Sequence, residues 1–408
     1  MIFRPVIFGG YVNGYSLART FNETYNVESI ICDYTKNIAC YSKFCNYKII
    51  TNPQKNEEQF IKDVEKIGRL IRINDEIPIL LVTNDIWLMP LSKYKNILQE
   101  IFVYTFSDSE IIDELANKNT LYELCGKIGV DYPKTHRYCI ENKDFYQLKP
   151  PLLIKPSNVP EFINYFPNNK RNEIVSTIEE ASSYLERIYS VGYQGEMIIQ
   201  EYIPGGVENL YTCTTYSTQY GKVKGVSVGY KLSQYPENAG TITSGLIKYN
   251  EEVESLTKKI LEHKKFFGIA NTEFKFDSRD NTFKMIEVNA RPGMWNYSTI
   301  LSGVNLIEML VEDILLLKEV PFSKGINSII WSRISKKEVM NCSNNLVNKD
   351  EIKSLLDKGK IYDPLINKSE GYKFRIEVLK LDIKIYLAKM YNKWIKKGFD
   401  KLKGRWKV

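Results

Sequence analysis

Between residues 268 and 291, GIANTEFKFDSRDNTFKMIEVNAR, apolar and polar positions alternate on both sides of a polar centre. This period of two predicts two strands joined by the turn Ser278-Arg279-Asp280-Asn281. Thr272, Phe274 and Phe276 share one face of the first strand, with Asn271, Glu273 and Lys275 on the other. On the second strand Ile286, Val288 and Ala290 oppose Glu287, Asn289 and Arg291. A hairpin centred on Asp280 sets Glu273 across from Glu287 and Asn271 across from Asn289.

Upstream, Arg4 to Phe8 reads as a strand, Gly9-Gly10 to Gly14 as a turn, and the pattern through Leu17 and Phe21 as a helix. VESIICDY and IPILLVTND are further strands, with a helix from Phe60 to Ile73 between them. Strands alternating with helices predict a small parallel sheet over roughly residues 1–110. The glycine turn suits an anion at a helix N-terminus, or equally no ligand at all. Asp85 ends a strand where ligands gather in such sheets, or equally caps a helix.

Residues 107–130 read as helical, with Lys118 just before a helix start at Asn119-Thr120 and Gly129 at its end. PPLLIKPSN is a strand with Lys155 near its end. A lysine there needs a partner for its ammonium, and a phosphate and a salt bridge serve equally. EIVS is a strand followed by a helix through Arg187. MIIQEYIPGG is a strand closing on Pro204-Gly205-Gly206, with Glu208 beyond. NLYTCTTYS and KVKGVSVGYKL read as antiparallel strands, YPENAGTITSG as a loop, Val253 to Phe267 and LIEMLVEDILLLK as helices. Lys336 to Asp350 is a polar segment, Glu351 to Gly359 a helix. From Tyr372 a long helix is expected, with Ile376, Leu379, Ile383, Leu387, Met390 and Trp394 on one stripe and a lysine-rich end that includes Trp406.

Charge changes the picture only at that end. Residues 371–408 hold 12 Lys/Arg and 3 Asp/Glu, a net +9, so the chain total of +7 leaves 7 minus 9, or −2, for residues 1–370. The body is therefore not a nucleic-acid binder. The basic helix suits docking on the body, on a second subunit in a homodimer, or on an anionic membrane surface. Seven scattered cysteines favour reduced thiols and a cytoplasmic protein. Two histidines, both outside motifs, argue against histidine catalysis. The start MIFRPVIFGG has no long apolar core of the signal-peptide kind, and no run of about twenty apolar residues suggests a membrane span.

Two glutamates facing each other across a strand pair repel. Mg²⁺, which takes one or two carboxylates together with substrate phosphates, would remove that conflict, and Arg291 on the same face could grip a phosphate. Alternatively this is a solvated face on which Lys275 offsets the acids diagonally.

In the stretches LYELCGKIGVDYPKT, ERIYSVGYQGEMIIQEYIPG, GIANTEFKFDSRDNTFKMIEVNAR and GVNLIEMLVEDIL the chain resembles the ATP-grasp carboxylate–amine ligases, and among them the D-aspartate ligase family. The order Lys118, Lys155, Glu201, Glu208, Glu273, Glu287-x-Asn289-x-Arg291 carries the likeness. The resemblance implies an α/β (α+β ATP-grasp) fold. It comprises a Rossmann-like parallel-sheet domain at 1–110, ATP-grasp subdomains at 111–195 and 196–325 clasping ATP, and a basic helical extension at 326–408. It implies that Lys118 and Lys155 hold the ATP phosphates, that Gln200, Glu201, Tyr202 and Ile203 meet the adenine, and that Glu208 takes the ribose hydroxyls. Glu273, Glu287 and Asn289 would be Mg²⁺ ligands, for two ions that Mn²⁺ can replace. Arg291, Lys155 and Lys231 would face the reacting groups. The implied activity is amide formation through an acyl phosphate, joining small-molecule or precursor carboxylate and amine substrates on a cell-envelope or polysaccharide precursor, in the cytoplasm or on the inner face of the membrane. Three features depart from the family pattern. Pro156-Ser157-Asn158-Val159-Pro160 stands where a glycine-rich phosphate loop is common, Trp295 adds bulk where substrates would meet, and the region from about 330 has no counterpart.

Overall fold

The computed structural model describes residues 2–157, 161–162, 165–166, 172–235, 240–343 and 349–405; for 343, 388–389 and 391–405 only the backbone is described. The segment after Lys155 at 158–160, residues 236–239 of the expected loop, 344–348 of the polar segment, the Trp394 side chain and Trp406 lie outside the described residues.

Five parallel strands form the first sheet: β1 (Phe3–Phe8), β2 (Ser29–Asp33), β3 (Cys45–Ile49), β4 (Ile77–Val82) and β5 (Val103–Tyr104), in the order β3-β2-β1-β4-β5. Val6, Ile7, Phe8, Leu80 and Leu81 are fully buried, as the continuous apolar runs of central parallel strands require. β3 and β5 add to the three strands expected. β3 is an exposed edge without an apolar face, and β5 is two residues long, so neither leaves a periodic trace. The glycine turn is forced by close approach. Gly9 sits at φ +100°, and a Cβ on Gly14 would lie 2.0 Å from the Gly9 carbonyl oxygen. The helix Val12–Tyr25 can therefore start directly on the turn.

The second sheet is antiparallel: β6 (Thr135–Tyr138), β7 (Leu152–Pro156), β8 (Glu173–Val175) and β9 (Met197–Glu201), in the order β6-β9-β7-β8. Leu152, Ile154, Met197 and Ile199 pack under the helix Ile178–Ser190, which buries Ala181, Tyr184, Leu185 and Ile188. Lys155 pairs with Ile198 and Leu153 with Gln200, on the alternate face.

The third sheet carries β10 (Leu210–Ser217), β11 (Val223–Tyr235), β12 (Thr241–Ile247), β13 (Gly268–Asp277), β14 (Thr282–Asn289), β15 (Ser323–Lys324), β16 (Ile329–Ser332) and β17 (Ile361–Tyr362). Its order is β14-β13-β10-β11-β12-β16-β17, with β15 beside β11. One face, with Cys213, Val228 and Phe274, packs on Val253, Ile260 and Leu261 of the helix Glu251–His263.

Several expectations change here. β9, expected beyond a division at 195/196, pairs with β6 and β7, so the division falls between β9 and β10. The sheet also continues past 325 through β16 and β17. TITSG, read as loop, is most of β12; its threonines and glycine hide the alternation. Within the polar segment, Lys336–Ser343 is a helix.

The long helix Tyr372–Arg405 docks on the first domain, but not through the expected stripe. Phe374 is fully buried and stacks on Tyr15 with ring centroids 4.5 Å apart, and Val378 and Leu381 pack into the same cluster. Ile376, Leu379, Ile383, Leu387 and Met390 face water. Apolar periodicity found a face, but this helix has two. Glu370, just before it, accepts from the Ser42 hydroxyl at 2.5 Å and the Lys43 N–H at 3.1 Å. Asp382 pairs with Arg333, which also grips Asp363 at 2.6 Å. We expect Phe374→Ala to cost about 3 kcal/mol in urea denaturation, the order seen for emptying a buried aromatic site; an unchanged midpoint would contradict the docking.

Candidate active site

The hairpin β13–β14 sets the geometry. Asn271 pairs with Asn289 and Glu273 with Glu287, as the alternation predicts. Nearer the turn the register is one residue different: Phe274 pairs with Met285 and Asp277 with Thr282. A β-bulge at Ile286 absorbs the difference. Groups at the bulge find partners outside the hairpin. The Met285 N–H donates to the Asp131 carbonyl at 2.7 Å, and the Tyr122 hydroxyl donates to the Ile286 carbonyl at 3.3 Å. The bulge brings Met285 and Phe283 inside with Phe274 while leaving Glu287, Asn289 and Arg291 on the face of Glu273.

On that face the charges are joined in two chains. Lys231, reaching from β11, places Nζ 3.0 Å from Glu273 Oε2. Asn289 Nδ2 donates to Glu287 Oε1 at 3.0 Å, and Arg291 Nη2 donates to Asn289 Oδ1 at 3.0 Å. The same guanidinium grips Asp85 of the first domain, with Nε 3.1 Å from Oδ1 and Nη2 3.3 Å from Oδ2. Asp85 opens the helix Asp85–Lys93 at the carboxyl end of β4, with Asn84 as its N-cap. Burial pushes Glu273 above the usual carboxylate range, and the charge of Glu287 adds to this against the pull of Lys231. Asn271, buried, donates to the Arg291 carbonyl at 2.8 Å and accepts from the Thr214 hydroxyl at 2.7 Å. It braces the turn from β14 into residues 292–297.

Lys155 faces this group from the second sheet. Burial, with the nearby Lys118 adding to it and Glu287 opposing, brings the Lys155 ammonium down to about 8. Lys118 is the first residue of the helix Lys118–Ile128, whose N-cap Asn117 accepts from the Asn119 N–H. The charges of Lys118 and Glu287 are thus both felt at Lys155.

The other residues singled out lie farther along. Lys275 does not offset the acids. Its Nζ donates to the Ile203 carbonyl at 2.7 Å and lies 4.9 Å from the Tyr202 ring centroid, so it fixes the chain as it leaves β9. Glu201 accepts from the Lys149 N–H and Glu208 from the Gly206 N–H, each at 3.0 Å. Gln200 donates to the Thr135 hydroxyl at 2.9 Å. Trp295 is buried over Gly245, the cross-strand partner of Lys231, so its ring is a wall of the site. Sequence reasoning missed the pairs Lys231–Glu273 and Arg291–Asp85. The residues were flagged, but which lysine or acid a long side chain reaches depends on sheet order.

No protein-family model matches the chain. It is similar to the D-aspartate ligase of Enterococcus faecium (strain Aus0004), 31% identical over 326 residues that cover 76% of each chain. It is also similar to the D-alanine–D-alanine ligase of Wolbachia sp. subsp. Drosophila simulans (strain wRi), 24% identical over 52% of this chain and 68% of that one. Among solved structures its fold resembles the N5-carboxyaminoimidazole synthetase from Staphylococcus aureus, with a TM-score of 0.59 at 13% identity over 86% of this chain and 87% of that one. An L-amino acid ligase from Bacillus licheniformis gives 0.55 at 16% identity over 77% and 74%.

The ion pair beneath the cleft makes a direct expectation. Lys231→Met leaves Glu273 without its cation and should cost about 2 kcal/mol, at the lower end for a pair not fully shielded from water. Adding Glu273→Gln should restore most of the loss. A single variant as stable as the parent in urea would contradict the pairing.

Proposed function

The chain belongs to the ATP-grasp carboxylate–amine ligases, in the family of D-aspartate ligase, and from that membership we propose that it joins an amino acid to an amine or carboxylate of a cell-envelope or polysaccharide precursor. It is a carbon–nitrogen bond-forming, ADP-producing enzyme of that family. The observation that carries the proposal is the facing pair Glu273 and Glu287, with Arg291 joined to it through Asn289 and with Glu287 close enough to act on Lys155.

Among the described residues no three His, Cys, Asp or Glu cluster as an all-protein metal site. Two glutamates and the Asn289 oxygen suit instead a hard divalent ion that completes its shell with phosphates and water. We assign Glu273, Glu287 and Asn289 to one or two Mg²⁺ ions, with Mn²⁺ sharing the oxygen preference. When bound, the metal would neutralise charge on the phosphates.

The protein's own groups do the rest. Lys118 and Lys155 hold the phosphates. Gln200, Glu201, Tyr202 and Ile203 take the adenine, with Lys275 fixing Ile203 in place, and Glu208 takes the ribose. A substrate carboxylate attacks the ATP γ-phosphorus in line; the bond to the β-phosphate oxygen breaks, giving ADP and an acyl phosphate. Arg291 turns its fork from Asp85 to the transferred phosphoryl group. Lys231 faces the developing charge beside Glu273. The amine then attacks the acyl carbon, phosphate leaves, and the amine gives up a proton. No side-chain nucleophile is required. The seven free cysteines and the need for ATP favour the cytoplasm, and the substrates are small-molecule or precursor carboxylates and amines rather than nucleic acid.

Incubation with ATP, Mg²⁺, an amino-acid panel and hydroxylamine should release ADP and yield a hydroxamate from the acyl phosphate. Neither product would indicate a nucleotide-binding module without turnover. ADP with a stable phosphorylated product and no hydroxamate would indicate a phosphotransferase. Glu287→Gln should abolish metal-dependent ADP release while leaving the melting midpoint in place; retained turnover would refute its assignment.

ATP affinity should also depend on pH in one direction. The cationic form of Lys155 meets the phosphates, and in the free protein that form is lost above about pH 8. Affinity should be level below that point and weaken by up to roughly tenfold per unit above it. Lys155→Met should bind weakly with no such inflection; an inflection surviving in that variant would contradict the assignment.

A further inference from the structure

The helix Tyr372–Arg405 has two apolar faces, and the body covers one. At 3.6 residues per turn, Phe374, Val378 and Leu381 share the face that packs on Tyr15 and the segment Ile38–Tyr41. Tyr372, Ile376, Leu379, Ile383, Leu387 and Met390 lie on the opposite side, each between 47% and 71% exposed. They occupy an arc of about 100° along about five turns, the width with which an amphipathic helix ordinarily meets its core. Here no core meets it. Large contiguous apolar surface of this kind marks an interaction site.

Charge selects the occupant. The helix and its end carry 12 Lys/Arg against 3 Asp/Glu from residue 371 onward. Two of those acids are already answered, Glu377 by Lys380 at 2.7 Å and Asp382 by Arg333. Lys373, Lys380 and Lys384 run along one flank of the exposed arc by helical position. A second copy meeting this face would bring two net charges of +9 together, whereas an anionic surface attracts them. The helix is too polar to insert across a bilayer: among the described residues no helix is long and apolar enough to cross a membrane. Lysines flanking an apolar arc are the pattern of a helix lying in the headgroup plane, with its apolar side chains at the acyl boundary.

We propose that the outward face of the terminal helix docks this protein on an anionic lipid bilayer. Docking would also set the orientation of the molecule. Lys380, Leu381 and Lys384 line a groove of about 240 Å³ with Tyr11 and Asn37, at the carboxyl ends of β1 and β2. Asp85, which grips Arg291, follows β4 at the same end of that sheet. The helix that carries the docking face therefore lies at the same end of the first domain as Asp85.

The test is sedimentation of the full chain with vesicles of phosphatidylcholine alone and of phosphatidylcholine mixed with phosphatidylglycerol. It needs no substrate, so it stands apart from the proposed reaction. The protein should sediment with the anionic vesicles, remain in solution with the neutral ones, and be released by added salt. Leu379→Glu with Ile383→Glu should weaken binding by roughly tenfold or more without lowering the melting midpoint, because both side chains are exposed. Lys380→Gln with Lys384→Gln should weaken binding to the anionic vesicles severalfold. Failure to bind anionic vesicles, or equal binding by the Leu379/Ile383 variant, would overturn the proposal. So would a wild-type dimer that the same variant turns into monomers, since a second copy would then be the occupant.

Discussion

Two carboxylates held face to face on neighbouring strands cost free energy, and the architecture around Glu273 and Glu287 answers that cost. Lys231 comes from two strands away to meet one of them, and Asn289 leans back to donate to the other. Arg291 then holds Asn289, and Asp85 holds Arg291. The bulge at Ile286 keeps the pair in register while Phe274, Met285 and Phe283 stay in the core. A regular hairpin around the same turn would pair Glu273 with Ile286 and lose the opposition. In the proposed function Glu273, Glu287, Asn289 and Arg291 are also the groups assigned to the metal and the phosphates. In the proposed mechanism, binding exchanges internal partners for ligand ones, and the site reaches that point already assembled.

The chain of contacts also joins the domains. Asp85 opens the helix after β4 of the parallel sheet and Arg291 follows β14 of the third, so their ion pair ties the first domain to the hairpin. The C-terminal region is built into the same frame. β16 and β17 extend the third sheet beside β12, and Arg333 ties β16 to Asp363 and to Asp382 of the terminal helix. Arg19 of the first domain lies 4.3 Å from the Tyr297 ring centroid, and Tyr297 stacks on Tyr362 of β17. Residues 292–297, which leave the site directly after Arg291, are thus clamped between the N-terminal domain and the extension.

Much of this was legible in the residues. The strict alternation from Asn271 to Arg291 named the facing pairs, because one buried face fixes register. The strands β1, β2 and β4 announced themselves as apolar runs. The bulge was not legible, since a period of two carries no mark of where one residue loops out and an even turn hides the offset. β12 was missed because Thr241, Thr243 and Gly245 blur its pattern, and β3 because an exposed edge has no apolar face to show. The terminal helix misled for the opposite reason: its sequence offers two apolar faces, and only Tyr15 and Ile38 in the folded chain decide which is covered. The pairing of Lys231, rather than Lys275, with Glu273 depended on β10 lying between β11 and β13.

The central claim is that Glu273 and Glu287 would hold a divalent ion when nucleotide is bound. A crystal structure with Mn²⁺ and a non-hydrolysable ATP analogue tests it most directly, through anomalous scattering at the manganese edge. The account predicts an anomalous peak at the Glu273 and Glu287 carboxylates, with Arg291 turned from Asp85. Bound nucleotide with no peak at either carboxylate would contradict it.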